Sequence, residues 1–366
     1  MPSVATIAAD LDRFAPRALA AEWDNVGLLL GDPQSEVQRL MTCLTVTRST
    51  AAEAIEAGAQ MIVSHHPILF RGAKKLSLNS PDGDIVWPLA RAGIAVYSPH
   101  TAFDNCAGGI NDQIAERLGL IDVRPLRPKR QASFKIVVFT PDADLAKVSD
   151  ALFQAGAGII GQYSQCSFRL AGTGTFFGSD STNPTVGVKG QREVVSEWRL
   201  EVVCSAEKLD GALRAMRTAH SYEEPAYDVY PLQPSLVGGG EGRIGRRSQP
   251  VKLVQLVEEV EKEFAVAHVP FVGDQAQSVS KIAIACGAAG EFLSDAVRAG
   301  ADAFFTGEMR YHDLLTAEAK GLAVILPGHH ATERLGVERL SERLQTTWPG
   351  LTIWPSRRES DPLSFR

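Results

Sequence analysis

Short apolar runs alternate with amphipathic segments of helical period along the first part of the chain. An amphipathic helix is predicted over residues 4–14, and strands are predicted over residues 40–46 and 61–64. A helix over residues 50–57 separates these two strands, and a further strand follows at residues 94–97. Alternation of helices with buried strands is typical of an α/β layer architecture.

The same pattern occurs twice in the chain, as a helix, an Ala-Gly turn and an apolar strand. The matching segments are residues 54–66 and 296–308, then residues 93–96 and 321–324. After the second strand, each half has a histidine followed four residues later by a carboxylate, His100 with Asp104 and His329 with Glu333. The helix–strand pattern alone is generic, but its repetition together with this pair indicates an internal repeat. We therefore predict two pseudo-repeated α/β halves that face each other across one site.

Residues 128–235 lie between these halves and have a different pattern. Strands and helices are predicted in the order strand, helix, strand, strand, helix, strand, at residues 134–139, 143–154, 166–171, 198–204, 207–219 and 226–232. This is the order of the ferredoxin-like split βαβ motif, which predicts an inserted α+β domain with its own core. The two halves then comprise residues 1–127 and 236–366. A Gly-rich stretch at residues 237–247 is typical of a flexible linker, although its glycines and arginines also suit a phosphate pocket.

Composition and charge limit the classes of function. The chain has 366 residues, of which 45% are hydrophobic, as expected for a multi-domain globular protein. Its formal net charge of −6 disfavours a nucleic-acid partner. No apolar run approaches the ~20 residues of a membrane span, and residues 1–13 lack the features of a signal peptide. Five scattered cysteines indicate reduced thiols, so we predict a cytoplasmic protein without a membrane partner.

Histidines that follow predicted strands are the strongest chemical signal. They are His65, His66, His100, His312, His329 and His330. Neighbouring side chains of a continuous strand point to opposite faces, so His65 and His66 can share a cavity only where Pro67 breaks the strand. Taken singly, each histidine suits a buried, hydrogen-bonded role. Together with the carboxylates they predict a site for a divalent ion such as zinc, iron or manganese, and the lack of cysteine favours an open catalytic site.

Five short motifs combine these histidines and carboxylates with their neighbours. They are Trp23-Asp24-Asn25-Val26-Gly27, Ser64-His65-His66-Pro67, His100-Thr101-Ala102-Phe103-Asp104, Thr306-Gly307-Glu308 and Gly328-His329-His330-Ala331-Thr332-Glu333. In this order they resemble the Nif-three-like family, whose members are often described as GTP cyclohydrolase I type 2 homologues. The inserted domain, with His220-Ser221-Tyr222-Glu223-Glu224-Pro225, is similar to the CutA/PII-like domain of longer members.

The resemblance implies two divalent ions per subunit between the halves and assembly into a toroidal homohexamer. Carried over by position, it implies that the metal ligands are His65, His66, Asp104, His329 and Glu333, with Asp104 or Glu333 as the bridge. Two positions depart from the family pattern. Thr45 stands where the family usually has aspartate, and His330 stands where an aromatic residue is more common.

The function implied is divalent-metal-dependent hydrolysis of a nucleotide-like small substrate, as in hydrolytic opening of the guanine imidazole ring of GTP with release of formate. His312 and Glu308 are then the candidate catalytic residues for proton transfer. Candidate phosphate ligands are Lys74, Lys75, Arg243 and Arg310. The alternative is a non-catalytic, metal-binding regulatory scaffold with a PII-like sensing domain, which would bind a ligand without turnover.

Overall fold

The protein, described by a computed structural model over residues 1–73, 75–161 and 163–364, divides into two compact units. Met1–Lys129 and Gly238–Arg366 form the first unit, and Arg130–Val237 form the second. Within the described ranges, no helix combines the length and the apolar character needed to cross a membrane.

The N-terminal segment of the first unit alternates helices and strands. Its elements are α1 (Val4–Phe14), β1 (Gly27–Leu30), β2 (Arg39–Cys43), α2 (Arg48–Glu56), β3 (Met61–Ser64), α3 (Gly83–Arg91), β4 (Ala95–Ser98), α4 (His100–Asn105), α5 (Ile110–Arg117) and β5 (Ile121–Gln131). Helix α1 begins after Ser3, whose hydroxyl accepts a hydrogen bond from the Thr6 amide at 3.2 Å. Strands β2, β3 and β4 are buried along almost their whole length, as expected for parallel strands covered by helices on both faces.

The second unit has its own sheet and core. Its elements are β6 (Ser133–Thr140), α6 (Asp142–Gln154), β7 (Phe168–Phe177), β8 (Arg192–Ser205), α7 (Leu209–Ala219) and β9 (Tyr227–Pro231). The strands pair antiparallel in the order β7-β8-β6-β9. A buried cluster that includes Ile136, Val148, Leu200 and Met216 joins this sheet to both helices. Along the chain the elements follow the order β-α-β-β-α-β.

The chain returns to the first unit through a long strand and then alternates again. The elements are β10 (Ser235–Lys252), α8 (Leu253–Glu263), β11 (Phe271–Val272), β12 (Ser278–Ala288), α9 (Leu293–Arg298), β13 (Ala303–Glu308), α10 (Tyr311–Ala319), β14 (Ala323–Ile325), α11 (His329–Thr347) and β15 (Thr352–Pro355). The Gly-rich stretch predicted as a linker is part of β10, so that prediction is wrong. Its glycines permit close packing, since a Cβ at Gly240 would lie 2.7 Å from the Arg127 carbonyl oxygen.

The two sheets of the first unit have the same order in their first four strands, and one helix packs against both sheets. The order is β1-β4-β3-β2-β15 in the first sheet and β11-β14-β13-β12-β10-β5 in the second. In both sheets the leading strand is antiparallel to its neighbour, and the next three strands are parallel. Helix α11 packs against β2 and β15 of the first sheet and against β12 and β13 of the second. Its first turn therefore lies where the strands of both sheets end.

A buried arginine ties β10 to the segment around α4 and α5. Arg243 is 3% exposed, and its guanidinium donates to the Asp112 carboxylate and to four backbone carbonyls, those of Gly240, Gly242, Asn105 and Cys106. A guanidinium has five N–H donors, and all of them are used here. The prediction that Arg243 binds phosphate is wrong, because no donor remains for a ligand.

Replacing Arg243 with leucine should destabilise the first unit, because the Asp112 carboxylate and the four carbonyls lose this partner. We expect the free energy of unfolding to fall by about 3–5 kcal/mol, measured by denaturant unfolding. Arg246→Leu on the same strand is the matched control, since its pair with Asp122 is exposed on both sides and such pairs contribute about 0–1 kcal/mol. Equal losses in the two variants would contradict the role assigned to Arg243.

Candidate metal centre

Two adjacent histidines follow the end of β3, where the chain bends. The amides of His65 and His66 donate to the carbonyls of Cys43 and Leu44 at 2.9 and 2.8 Å, so the chain still runs beside the end of β2. The Ser64 hydroxyl donates to the His66 carbonyl at 2.8 Å and fixes the bend. As a result both imidazoles lie together, with ring centroids 5.2 Å apart.

A third histidine, His100, stands at the start of α4 in a strained backbone conformation. Its φ is +31°, which is unusual for a residue with a Cβ and often marks a functional site. His100 Nδ1 lies 2.7 Å from Asp24 Oδ1, and the Thr101 amide donates to Asp24 Oδ2 at 3.1 Å. Burial raises the pKa of Asp24, but the hydrogen bonds and charge of His100 outweigh it and leave that pKa below its usual range. The His100 ring lies 5.2 Å from the His65 ring and 5.6 Å from the His66 ring.

The first turn of α11 supplies the donors on the side of the second sheet. Gly328, with φ of +106°, leads directly into the helix. His329 and Glu333 then lie on one face, with His329 Nε2 3.0 Å from Glu333 Oε2. Glu308, the last residue of β13, places its Oε1 3.0 Å from His329 Nδ1. Glu308 therefore orients the His329 ring.

The Glu333 carboxylate is the point at which these histidines meet. Its Oε2 lies 3.0 Å from His66 Nε2, 3.0 Å from His329 Nε2 and 3.8 Å from His65 Nε2. Asp104, one turn into α4, has its Oδ1 3.5 Å from His65 Nε2. The donor atoms form two sets, and within each set all atoms lie within 4.8 Å of one another. The first set is His65, His66 and His100, and the second is His66, His329 and Glu333. The site thus has histidine and carboxylate groups that can hold a metal ion, and His66 belongs to both sets.

Several of these atoms are buried and have no hydrogen-bond partner in the part of the chain that the structure describes. They are both ring nitrogens of His65 and Oδ1 of Asp104, the 3.5 Å separation between the two side chains being too long for a good hydrogen bond. Buried polar atoms in native proteins are almost always paired, and an unfilled set is explained by a missing water or ion. Imidazole nitrogen and carboxylate oxygen are the donor types that divalent zinc, iron and manganese accept. The residues present therefore fit a divalent metal.

Burial and mutual charge set the protonation of the cluster. Burial lowers the pKa of His65 well below its usual range. Burial, reinforced by the Glu333 charge, raises the pKa of Asp104 to about 7. Burial also acts to raise the pKa of Glu333, but the surrounding histidines outweigh it and hold that pKa far below its usual range. The hydrogen bond to Glu333 raises the pKa of His329 to about 9.

Residues behind the cluster hold the rings in place, as partners behind metal-binding histidines commonly do. His66 Nδ1 lies 2.8 Å from the Thr45 hydroxyl. The Glu359 carboxylate accepts from the amides of Leu44 and Thr45, both at 2.7 Å, and so fixes this loop. Thr45, one of the two positions that depart from the pattern of the resemblance, thus orients the His66 ring.

The cluster opens into a cavity of about 460 Å³, a size suited to a small molecule. The predicted ligands and neighbours that line it are His66, His100, Asp104, His329 and Glu333. The remaining wall includes three aromatic rings and two further carboxylates, Trp23, Phe70, Phe292, Glu241 and Glu291.

The structure brings together the five predicted ligands but separates the other candidates from them. His312 is exposed on α10, where its ring packs against Tyr311, and it is not among the described residues that line the cavity. Glu308 reaches the site only through His329. Lys75 and Arg310 are exposed and likewise do not line the cavity. Lys74 lies outside the described residues.

Two residues gain a role that the sequence did not assign to them. The sequence places His100 in the histidine cluster but not among the five predicted ligands. In the structure a ring nitrogen of His100 lies within 4.8 Å of ring nitrogens of His65 and His66. Asp24, its buried partner, appeared only as part of the Trp23-Asp24-Asn25 motif. That motif is the only sign of Asp24 in the sequence, because Asp24 and His100 are 76 positions apart. Local periodicity cannot pair residues at that separation.

Comparison with known proteins identifies the family. The family model described as Duf34/NIF3 (NGG1p interacting factor 3) matches residues 2–362. A protein of Halalkalibacterium halodurans named GTP cyclohydrolase 1 type 2 homolog is 37% identical over 358 residues, covering 97% of this chain and 96% of the relative. A Bacillus subtilis protein of the same name is 34% identical over 359 residues, with the same coverage of 97% and 96%. The chain belongs to the Duf34/NIF3 family.

Solved structures agree with this assignment. The crystal structure of a Bacillus cereus protein related to NIF3 matches with a TM-score of 0.75 and 35% identity, covering 100% of this chain and 99% of that chain. A Staphylococcus aureus crystal structure matches with a TM-score of 0.78 and 27% identity at the same coverage of 100% and 99%. The mixed α/β fold with several sheets is therefore that of the family.

A methyl group introduced at Gly287, beside Glu333, should disturb the candidate metal centre without changing any of the proposed metal ligands. A Cβ at Gly287 would lie 2.3 Å from Glu333 Oε1, whereas a Cβ at Gly300 would meet nothing closer than Lys281 Nζ at 3.8 Å. Both glycines have nearly equal positive φ, +65° and +68°, so both alanine variants carry similar backbone strain. We expect Gly287→Ala to lower zinc affinity by about 10-fold or more and Gly300→Ala to leave it unchanged, measured by chelator competition. The same affinity in both variants would contradict the place given to Glu333.

Metal binding should compete with protons. Asp104, with a pKa of about 7, and His329, with a pKa of about 9, must both lose their protons to act as ligands. Apparent zinc affinity should therefore rise as the pH increases through 7 and toward 9, where these groups are deprotonated even without metal. Chelator-competition titrations at several pH values measure this. An affinity that stays constant or falls over this range would show that these two groups do not give up protons to the metal.

Proposed function

We propose that this protein is a divalent-metal-dependent hydrolase that acts on a nucleotide-like small substrate at a dinuclear centre. The observation that carries this proposal is the presence of two carboxylates among the histidines, Glu333 beside His66 and His329 and Asp104 beside His65, at a site that opens into a cavity. Open sites of histidine and carboxylate are typical of catalytic metals, whereas closed structural zinc sites usually use cysteine. The name GTP cyclohydrolase 1 type 2 homolog, carried by relatives, supports the same class of reaction.

Both sheets contribute to holding the ions. The proposed ligands are His65, His66, Asp104, His329 and Glu333, and His66 is the residue that belongs to both donor sets. When bound, two divalent ions supply Lewis acidity, which polarises the substrate and acidifies water. Zinc, iron and manganese all accept this donor set, and their availability selects among them.

His100 is the residue best placed for proton transfer. Its Nδ1 faces the buried Asp24 carboxylate at 2.7 Å, and this pairing fixes the ring orientation and favours a proton on Nδ1, which leaves Nε2 available. His100 lines the cavity, which neither of the predicted catalytic residues does within the described ranges. Glu308 keeps a positioning role through His329. His312 is exposed on α10 and is not among the described residues that line the cavity, so it is not proposed for proton transfer.

The test is to separate metal retention from turnover in two variants. His100→Asn should keep its metal and lower kcat by about 10²–10⁴-fold, because only proton transfer is lost. Glu333→Gln should lose metal and activity together. Metal content is measured on the purified variants, and turnover is measured with the zinc- or manganese-loaded proteins against a panel of nucleosides and nucleotides.

Each other outcome has a defined meaning. Loss of metal in His100→Asn would make His100 a ligand and contradict the proton-transfer role. A metal-loaded wild-type protein that binds panel members but produces no product from any of them would contradict the hydrolase and favour the regulatory scaffold.

The proposal extends to architecture and assembly. The common order of the first four strands in each sheet supports an internal repeat of one α/β unit. The β-α-β-β-α-β order of the second unit supports a ferredoxin-like insertion of the CutA/PII type. A toroidal homohexamer and a cytoplasmic location stay predictions. Light scattering on the purified protein measures the first.

A further inference from the structure

The cavity beside the metal centre has two walls of distinct chemistry, aromatic and acidic. From them we propose that the substrate is a planar nitrogen heterocycle at the level of a base or nucleoside, without a phosphate chain. This inference rests on the proposed hydrolase function and narrows its substrate class. It departs from the triphosphate that the names of the relatives imply.

Aromatic rings form one side of the cavity mouth. Trp23 is 58% exposed and Phe70 is 47% exposed, although both are large and apolar. Their ring centroids are 5.7 Å apart, and each lies close to the His100 ring, at 6.0 and 6.2 Å. Exposed aromatic faces grouped at a cavity are suited to stack on a flat ring. A planar heterocycle held there would lie beside His100.

The other wall is acidic once the metal ligands are set aside. Glu241 and Glu291 line it, and no lysine or arginine is among the described residues that line the cavity. Arg127 does approach this wall, but its guanidinium donates to Glu241 at 2.8 Å and to Asp295 at 2.6 Å and lies 4.4 Å from the Phe292 ring centroid. Arg298 also pairs with Asp295, at 3.1 Å, so these two arginines and two carboxylates balance one another and leave no free positive charge for a phosphate. Glu291 has no ion-pair or hydrogen-bond partner among the described residues.

The orientation of the substrate in the cavity decides which of its groups contacts the acidic wall. Hydrolytic opening of a ring requires the ring to lie at the metal ligands and His100, so the rest of the substrate extends toward the remaining wall. A triphosphate there needs arginine, lysine or clustered amide donors, and it would instead meet Glu241 and Glu291. A sugar or an unsubstituted ring edge donates hydrogen bonds to carboxylates without repulsion. The wall therefore selects against the phosphate chain and accepts the nucleoside.

The experiment compares matched nucleoside and triphosphate pairs on the zinc-loaded full-length protein. Guanosine with GTP, adenosine with ATP and cytidine with CTP are titrated by calorimetry, and metal content and turnover are recorded separately. We expect at least one nucleoside to bind about 10-fold or more tightly than its triphosphate. The double variant Glu241→Gln, Glu291→Gln should reduce this preference, because it removes the repulsion.

The aromatic wall is tested with its own variant. Trp23→Leu should weaken binding of that nucleoside by about fivefold or more, the range of base–aromatic stacking, and leave the metal content unchanged. Tyr311→Leu is the matched control, since Tyr311 is also a highly exposed aromatic residue, 68% exposed, but does not line the cavity; its binding should be unchanged.

Two results would overturn the inference. One is a triphosphate that binds as tightly as its nucleoside or more tightly, and the other is the absence of binding by all six probes. Turnover of GTP would support the hydrolase and sink the substrate class proposed here. A preference for nucleosides without turnover would support the substrate class and contradict the hydrolase. The two proposals can therefore fail independently.

Discussion

The burial of the Glu333 carboxylate among histidines is the constraint on which the rest of the site depends. Glu333 is 4% exposed, and a buried ionised carboxylate is costly unless positive charge or hydrogen bonds compensate it. Here His66, which follows β3, and His329, in the first turn of α11, both approach one oxygen of Glu333 at 3.0 Å. A divalent ion in the same place would compensate the carboxylate and would also give partners to the orphaned atoms of His65 and Asp104. The cluster is therefore better suited to a cation than to protons alone.

The fold meets this constraint through one helix that packs against both sheets. Parallel strands end at a common edge, which is where open α/β sheets bind ligands. Helix α11 packs against strands of both sheets and begins at that edge, so a His-x-x-x-Glu pair in its first turn reaches donors that follow β3. Outer contacts then fix each ring, with Thr45 behind His66, Asp24 behind His100 and Glu308 behind His329. Positioning of the donors thus comes from backbone architecture as well as from side-chain pairs.

Local sequence patterns predict the alternation of helices and strands and the grouping of the histidines, whereas the set of five ligands follows from the family resemblance. The helix over residues 4–14 coincides with α1, and the strand over residues 61–64 coincides with β3, because apolar period and turn residues act locally. The Gly-rich stretch at residues 237–247 is not the predicted flexible linker. Its glycines are required because β10 packs closely against its neighbours, and this tertiary contact is not visible in a local pattern. The roles of His100 and Asp24 depend on a contact between distant parts of the chain. The Gly-rich surroundings of Arg243 suggest a phosphate ligand, but its burial and its internal acceptors depend on tertiary contacts that the sequence does not show.

Metal stoichiometry tests the central claim most directly. The protein is stripped with a chelator, reconstituted separately with zinc, iron and manganese, freed of excess metal and analysed by mass spectrometry beside His65→Asn and His312→Asn. His65 is buried and neither of its ring nitrogens has a hydrogen-bond partner among the described residues, whereas His312 is exposed. We therefore expect about two ions per chain in the wild type and in His312→Asn, and fewer in His65→Asn. A wild-type protein that retains no stoichiometric metal from any of the three, or a His65→Asn variant that retains as much as the wild type, would contradict this claim.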